Sequence, residues 1–143
     1  SILGLVTTPY RGAYGATKFA VEAWSDALRM EMDGTGVHVS LIEPGPIETD
    51  FRTNAIRQFE RWVDWENSLR ADEYRSGLLD RLYAGSTRNP FQLPASAVTA
   101  KLIHAIESPH PKARYFVTMP TYGVNILRRF LPTSLLEHVL KRG

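Results

Sequence analysis

Residues 13–32 read AYGATKFAVEAWSDALRMEM, and the interpretation of the whole chain turns on them. Ala16, Phe19, Ala20, Ala23, Trp24, Ala27 and Leu28 recur at helical spacing, which predicts one amphipathic helix from about Ala13 to Met32 with that face inward. Glu22, Asp26 and Arg29 are then expected to face water, and Gly34 and Gly36 to stop the helix. Tyr14 and Lys18 stand four apart and project from one face, one turn from each other. An ammonium beside a phenol favours the phenolate, which readies Tyr14 to exchange a proton with a substrate oxygen. Tyr and Lys at this spacing occur by chance on many surface helices, so the pair alone identifies nothing.

On the amino-terminal side, Ile2, Leu3, Leu5 and Val6 are apolar and Thr7, Thr8, Pro9 and Gly12 interrupt them, predicting the end of a strand and a loop. On the other side, Val37 to Ile42 predicts a strand, cut off by Pro44, Gly45 and Pro46. From Thr49 to Tyr83 the chain is charged but carries Phe51, Phe59, Trp62, Trp65, Tyr74 and Tyr83. It reads as one or two amphipathic helices forming a flap whose aromatics cover core. Pro94 precedes a helix whose Ala97, Val98, Ala100, Leu102, Ile103 and Ile106 face inward, ended by Ser108, Pro109 and Pro111. Tyr115 to Met119 predicts a strand, and Tyr122 to Leu140 helical pieces broken at Pro132. This alternation is that of an α/β protein with a parallel sheet.

Composition narrows the functional classes. The 143 residues are 43% hydrophobic, enough to bury a core. Seventeen basic and 15 acidic residues are spread without blocks, for a net charge of +2, so a nucleic-acid partner is not expected despite an isoelectric point near 9.0. With no cysteine there is no disulfide, thiolate zinc site or cysteine nucleophile. His38, His104, His110 and His138 lack ligand spacing, so no metal is expected. No apolar run approaches the roughly 18 residues that span a bilayer, and nothing in the sequence argues for export, which favours the cytoplasm. The apolar tail from Val124 to Arg142, with Arg128, Arg129, Lys141 and Arg142 beside it, could lie on a membrane surface; packing against the sheet or a second subunit is preferred. The chain opens on Ser rather than Met, so an upstream portion is expected.

Three features, Ser1, the Pro-Gly turn and Thr49, bring the Tyr–Lys pair into a constellation. Ser1 stands thirteen positions before Tyr14, at the end of the first expected strand, where its hydroxyl could meet the same substrate oxygen. Pro44-Gly45-Pro46-Ile47-Glu48-Thr49 follows the next strand, at the carboxyl edge where open α/β sheets bind ligands. Each has a plain alternative: a terminal serine, a punctuating turn, and a helix-capping Thr49.

Together, Ser1 to Lys18 with its Tyr-x-x-x-Lys and Ile42 to Thr49 with its Pro-Gly-x-Ile-x-Thr resemble the compact branch of the short-chain dehydrogenases/reductases. Ala13 to Met32 and Ser40 to Ile47 are most similar to bacterial NADP-dependent aldehyde reductases of that branch. The resemblance covers essentially the whole chain and implies the carboxy-terminal half of a Rossmann-type, doubly wound parallel sheet, carrying an α-helical substrate flap. Residues 1–50 would form the catalytic strand-helix-strand, 51–92 the flap, and 93–143 the last helix, strand and helical tail. It further implies that Ser1 polarises a carbonyl oxygen, that Tyr14 is the acid/base, and that Lys18 lowers the Tyr14 pKa and binds the cofactor ribose. Ile47 would offer its backbone to the nicotinamide carboxamide with Thr49 beside it, while Pro44 and Gly45 would shape the wall beneath the ring. The glycine-rich pyrophosphate turn, the residue that selects NAD or NADP, and the relay Asn of such enzymes do not occur here. The implied cofactor is NADP, with NAD the alternative. The implied substrate is a small-molecule aldehyde, ketone or alcohol, expected to be apolar from the aromatic residues of the flap. A homo-oligomer is expected through the helix face bearing Phe19, Glu22, Trp24 and Asp26. Competing readings are a nucleotide-sugar epimerase or dehydratase of the extended branch, which shares Tyr-x-x-x-Lys, and a truncated, non-catalytic partner or scaffold.

Overall fold

The computed structural model describes residues 1–84 and 90–141. They form two compact units, one of 1–47 with 91–143 and one of 48–90.

The larger unit is built on a parallel pair of strands, β1 (Leu41–Glu43) and β2 (Arg114–Phe116), paired Leu41 to Arg114, Ile42 to Tyr115 and Glu43 to Phe116. Parallel strands cannot be joined by a tight turn and need a crossover. Helix α5 (Ser96–Glu107) lies in that connection. Helix α1 (Gly12–Glu31) precedes β1, and α6 (Met119–Phe130) and α7 (Thr133–Leu140) follow β2. The break between the last two falls at Pro132, as its missing N–H and fixed φ require. The buried apolar residues are Leu3, Leu5, Val6, Tyr115 and Val117. Inside this core the Tyr115 hydroxyl meets His104 Nδ1 at 3.0 Å and accepts from Lys112 N at 3.0 Å. His104 thus ties α5 to the turn entering β2.

The helical order and the parallel pairing agree with a partial Rossmann-type α/β fold, but three local expectations are corrected. Ile2–Gly4 is one turn of 3-10 helix, not a strand end. Leu3 N donates to Ser1 Oγ at 3.3 Å and Gly4 N to Ser1 O at 2.8 Å, so local partners replace a ladder. The expected strand from Val37 begins only at Leu41. Upstream of it, Val39 O accepts from Arg29 Nε at 3.0 Å, and Ser40 Oγ donates to Lys112 O at 2.8 Å. The second strand lies at Arg114–Phe116 rather than Tyr115–Met119, because Thr118 caps α6 and Pro120 stands in its first turn.

The orientation of α1 is also corrected. Phe19, Ala20 and Trp24 are exposed, Trp24 by 66%. Gly15 and Ser25 are the buried positions. Glu22, Asp26 and Arg29 turn toward the body and are paired there instead of facing water: Arg114 holds Glu22 at 3.1 Å and Asp26 at 2.7 Å, and Arg29 holds Asp26 at 2.6 Å. One oppositely charged partner on β2, Arg114, makes this polar face the inward one.

The smaller unit contains α2 (Phe51–Trp62), α3 (Ala71–Glu73), a π-helical turn at Tyr74–Leu78, and α4 (Leu79–Tyr83). None of these elements holds a buried residue. Its aromatics pair with each other: Tyr74 lies 6.0 Å from Phe59 and 6.1 Å from Trp65, centroid to centroid. Tyr83 Oη donates to Glu60 Oε1 at 3.1 Å, and Arg52 Nη1 donates to Ala84 O at 2.7 Å. Phe51 and Trp62 stay exposed.

Candidate active site

Tyr14 occupies the first turn of α1 and Lys18 the second. Both are half-buried, and Lys18 Nζ sits over the Tyr14 ring, 5.2 Å from its centroid. Helical spacing brings them to one face, and the cation–π contact fixes the ammonium against the phenol. Lys18 forms no ion pair among the described residues.

The approach to α1 is strained. Arg11 N donates to Thr8 O at 3.2 Å, closing a turn with Pro9 and Tyr10 at its centre, and Tyr10 has φ 66°. That left-handed position favours glycine, and a tyrosine held there stores backbone strain a few residues before Tyr14. Pro9 announced the turn in the sequence, but nothing there announced the positive φ of Tyr10.

Ser1 lies in the same unit. Its hydroxyl accepts from Leu3 N at 3.3 Å and caps the short 3-10 turn. Two contacts attach its turn to the other candidate segments. Ile2 N donates to Pro44 O at 3.0 Å. A Cβ at Gly4 would lie 3.2 Å from Lys18 O and 3.0 Å from Glu22 Cγ, so the turn presses directly on α1. Thr7 closes on Gly15 in the same way, 2.8 Å from where a Cβ would stand.

After β1, the Pro44–Gly45 turn is backed by α6. A methyl at Gly45 would overlap Thr118 Oγ1 and lie 2.8 Å from Thr121 Oγ1. These two threonines are fully buried and bond to each other at 3.0 Å. They support the turn although their sequence context carried no motif. Ile47 is held by a parallel bridge to Leu93, with Leu93 N donating to Pro46 O at 3.2 Å. Thr49 belongs to the smaller unit, where its hydroxyl accepts from Phe51 N at 3.3 Å. The larger unit therefore brings together the segments of Ser1, Tyr14, Lys18, Pro44, Gly45 and Ile47.

Immediately before this turn lies Glu43, fully buried. Neither of its carboxylate oxygens has a hydrogen bond, and the nearest cation is Arg114 Nε, 3.4 Å from Oε1. Burial pushes its pKa up to about 7; Glu22 adds to the rise, while Arg114 opposes it. Asp26 moves the other way, held below its usual value by hydrogen bonds first from Arg29 and then from Arg114. Beside this cluster is a cleft of about 460 Å³ whose walls include Gly4, Phe19, Glu22, Asp26, Arg114 and Arg128. It is charged and does not contain Tyr14 or Lys18.

The sequence pattern of short chain dehydrogenases matches residues 1–60. Uncharacterized oxidoreductase YbbO of Escherichia coli K12 is 43% identical over 141 residues, 99% of this chain and 46% of that protein. Human 17-beta-hydroxysteroid dehydrogenase type 6 is 33% identical over 149 residues, 100% of this chain and 46% of that protein. The NADPH-dependent 3-dehydrocapnine reductase of Ornithobacterium rhinotracheale is 32% identical over 139 residues, 97% of this chain and 47% of that protein. The chain spans about half the length of the curated relatives it matches. With Tyr14 and Lys18 stacked on the helix that this pattern covers, the chain belongs to the short-chain dehydrogenase/reductase family.

Proposed function

We propose that this chain supplies the proton-transfer half of an oxidoreductase that interconverts an aldehyde or ketone with its alcohol, using NADPH or NADH. The observation carrying this reading is the Lys18 ammonium seated over the Tyr14 ring, 5.2 Å from its centroid. An ammonium without a carboxylate partner, a phenol on the same face, and a backbone turn at Pro44 to Ile47 suit the ribose and nicotinamide end of a dinucleotide. Bound there, the cofactor would supply or accept the hydride. Tyr14 would give its phenolic proton to the carbonyl oxygen in reduction and take it back in oxidation. Ser1 Oγ, while accepting from Leu3 N, would donate its hydroxyl proton to the substrate oxygen, so that developing charge meets two hydroxyls. Ile47 would receive the carboxamide, and Pro44 and Gly45 would limit the ring from below.

NADPH is favoured over NADH by the name of one relative and by the likeness of residues 13–32 to aldehyde reductases. An apolar substrate is favoured by the aromatics of the 48–90 unit and by a steroid-named relative. Homo-oligomer formation through α1 is favoured by exposed Phe19 and Trp24. The test is oxidation of NADPH and NADH by the full-length protein against a panel of apolar aldehydes, ketones and steroids. Activity that needs Tyr14 is expected; no turnover with any carbonyl or alcohol would remove the proposal.

A further inference from the structure

We propose that Arg114 is a positioning residue for the site: its guanidinium gathers Glu22, Asp26 and Glu43 and so fixes α1 against the segments that carry Ser1 and Pro44. The proposal rests on the functional reading above for its effect on turnover, and on geometry alone for its effect on α1.

The geometry is that of a hub. Arg114 opens β2, paired with Leu41 of β1. Its Nε donates to Glu22 Oε2 at 3.1 Å, its Nη2 to both Asp26 oxygens at 2.8 and 2.7 Å, and its Nε stands 3.4 Å from Glu43 Oε1. The planar fork is matched to carboxylates in a way a lysine could not reproduce. Tyr14, Lys18, Glu22 and Asp26 follow each other at four-residue steps along α1, so a hold on the last two sets the rotation and height of the first two. Glu22 also touches the turn of Ser1, where a Cβ on Gly4 would stand 3.0 Å from its Cγ. Glu43 directly precedes Pro44, whose carbonyl accepts from Ile2 N. One cation thus joins α1 directly to the residue before Pro44 and, through Glu22, to the turn of Ser1.

The arrangement also explains why an acid without hydrogen bonds is kept buried at Glu43. Glu43 and Glu22 repel one another, and Arg114, paired with both, offsets part of that repulsion. Arg29 completes the attachment from the helix side, donating to Val39 O at 3.0 Å and to Asp26 Oδ1 at 2.6 Å.

The test uses the full-length protein with two kinds of readout. In Arg114→Met, backbone amides of residues 15–22 are expected to exchange hydrogen faster than in wild type, whatever the reaction turns out to be. Turnover is expected to fall roughly tenfold to 100-fold with the carbonyl KM nearly unchanged, because misplacement rather than lost binding is the defect. Glu22→Leu is expected to reproduce that loss. Glu22→Gln, which keeps an oxygen for Arg114 Nε, is expected to restore most of it. Unchanged exchange at residues 15–22 in Arg114→Met would overturn the proposal. So would wild-type kcat in folded Arg114→Met and Glu22→Leu when Tyr14→Phe is inactive. Wild-type turnover in Tyr14→Phe would instead refute the functional reading, leaving hydrogen exchange to decide the role of Arg114.

Discussion

Tyr14 and Lys18 can be separated by substitution because they are asked to do different things. Tyr14→Phe deletes only a hydroxyl, and in the full-length protein it should lower kcat by about 100-fold to 10,000-fold while leaving NADPH affinity close to wild type. Steady-state kinetics with a fluorescence titration reads both; unaltered turnover would end the acid/base assignment. Lys18→Met should damage affinity and turnover together, since one ammonium serves ribose and phenol, and an unchanged NADPH Kd would exclude the ribose role. At Gly45 the expectation concerns stability. Gly45→Ala drives a methyl into Thr118 Oγ1 and Thr121 Oγ1 in a fully buried place, and overpacking of this kind costs about 1–3 kcal/mol. Chemical denaturation of the variant measures it, and a loss well under 1 kcal/mol would mean that the turn yields freely.

At the scale of elements, the junction of α1, β1 and β2 should show in the pH dependence of stability. Glu43 is a carboxyl whose folded pKa, about 7, lies above its ordinary 4.5. The folded chain therefore binds more protons than the unfolded chain between these values, and stability falls as pH rises through that window. A shift of this size corresponds to a destabilisation of roughly 3 kcal/mol, absent below about pH 4.5 and fully developed above about pH 7. Glu43→Gln should flatten the dependence, and a wild-type slope retained in that variant would show that another group is responsible. Asp26 acts in the opposite sense: its lowered pKa contributes stability above its ordinary value of 3.8 that is lost as pH falls below it. Most elements were legible from periodicity and breakers, because Pro132, Pro44 and the glycines after α1 act through their own backbone chemistry. The inward face of α1 was not. Its apolar stripe of Phe19 and Trp24 outscored Glu22 and Asp26 in any hydrophobic pattern, and only Arg114, 92 and 88 residues further on, turns the acids inward.

At the scale of the molecule, several large apolar side chains of this chain are exposed: Trp24 by 66%, Met30 by 73%, Phe130 by 81% and Met119 by 73%. Surfaces of this kind seek a cover. The 143 residues prepared alone should therefore associate or melt without a sharp transition, and should bind NADPH poorly, because they hold no glycine-rich turn for its phosphates. A cooperative melt by calorimetry together with micromolar NADPH binding would contradict this. Tyr-x-x-x-Lys at four-residue spacing and Pro-Gly at the end of a strand are local in sequence and local in cause, so family, helix and turn could be read directly from the residues. The support beneath them could not. Thr118 and Thr121 behind Gly45, Gly4 against Lys18, and Arg114 among three carboxylates join residues distant along the chain. The strand expected at Ile2 became a capped turn because Ser1 and Leu3 found partners in each other. Such contacts depend on which backbones approach within a van der Waals radius and which charges meet when water is excluded, and those are properties that folding alone creates.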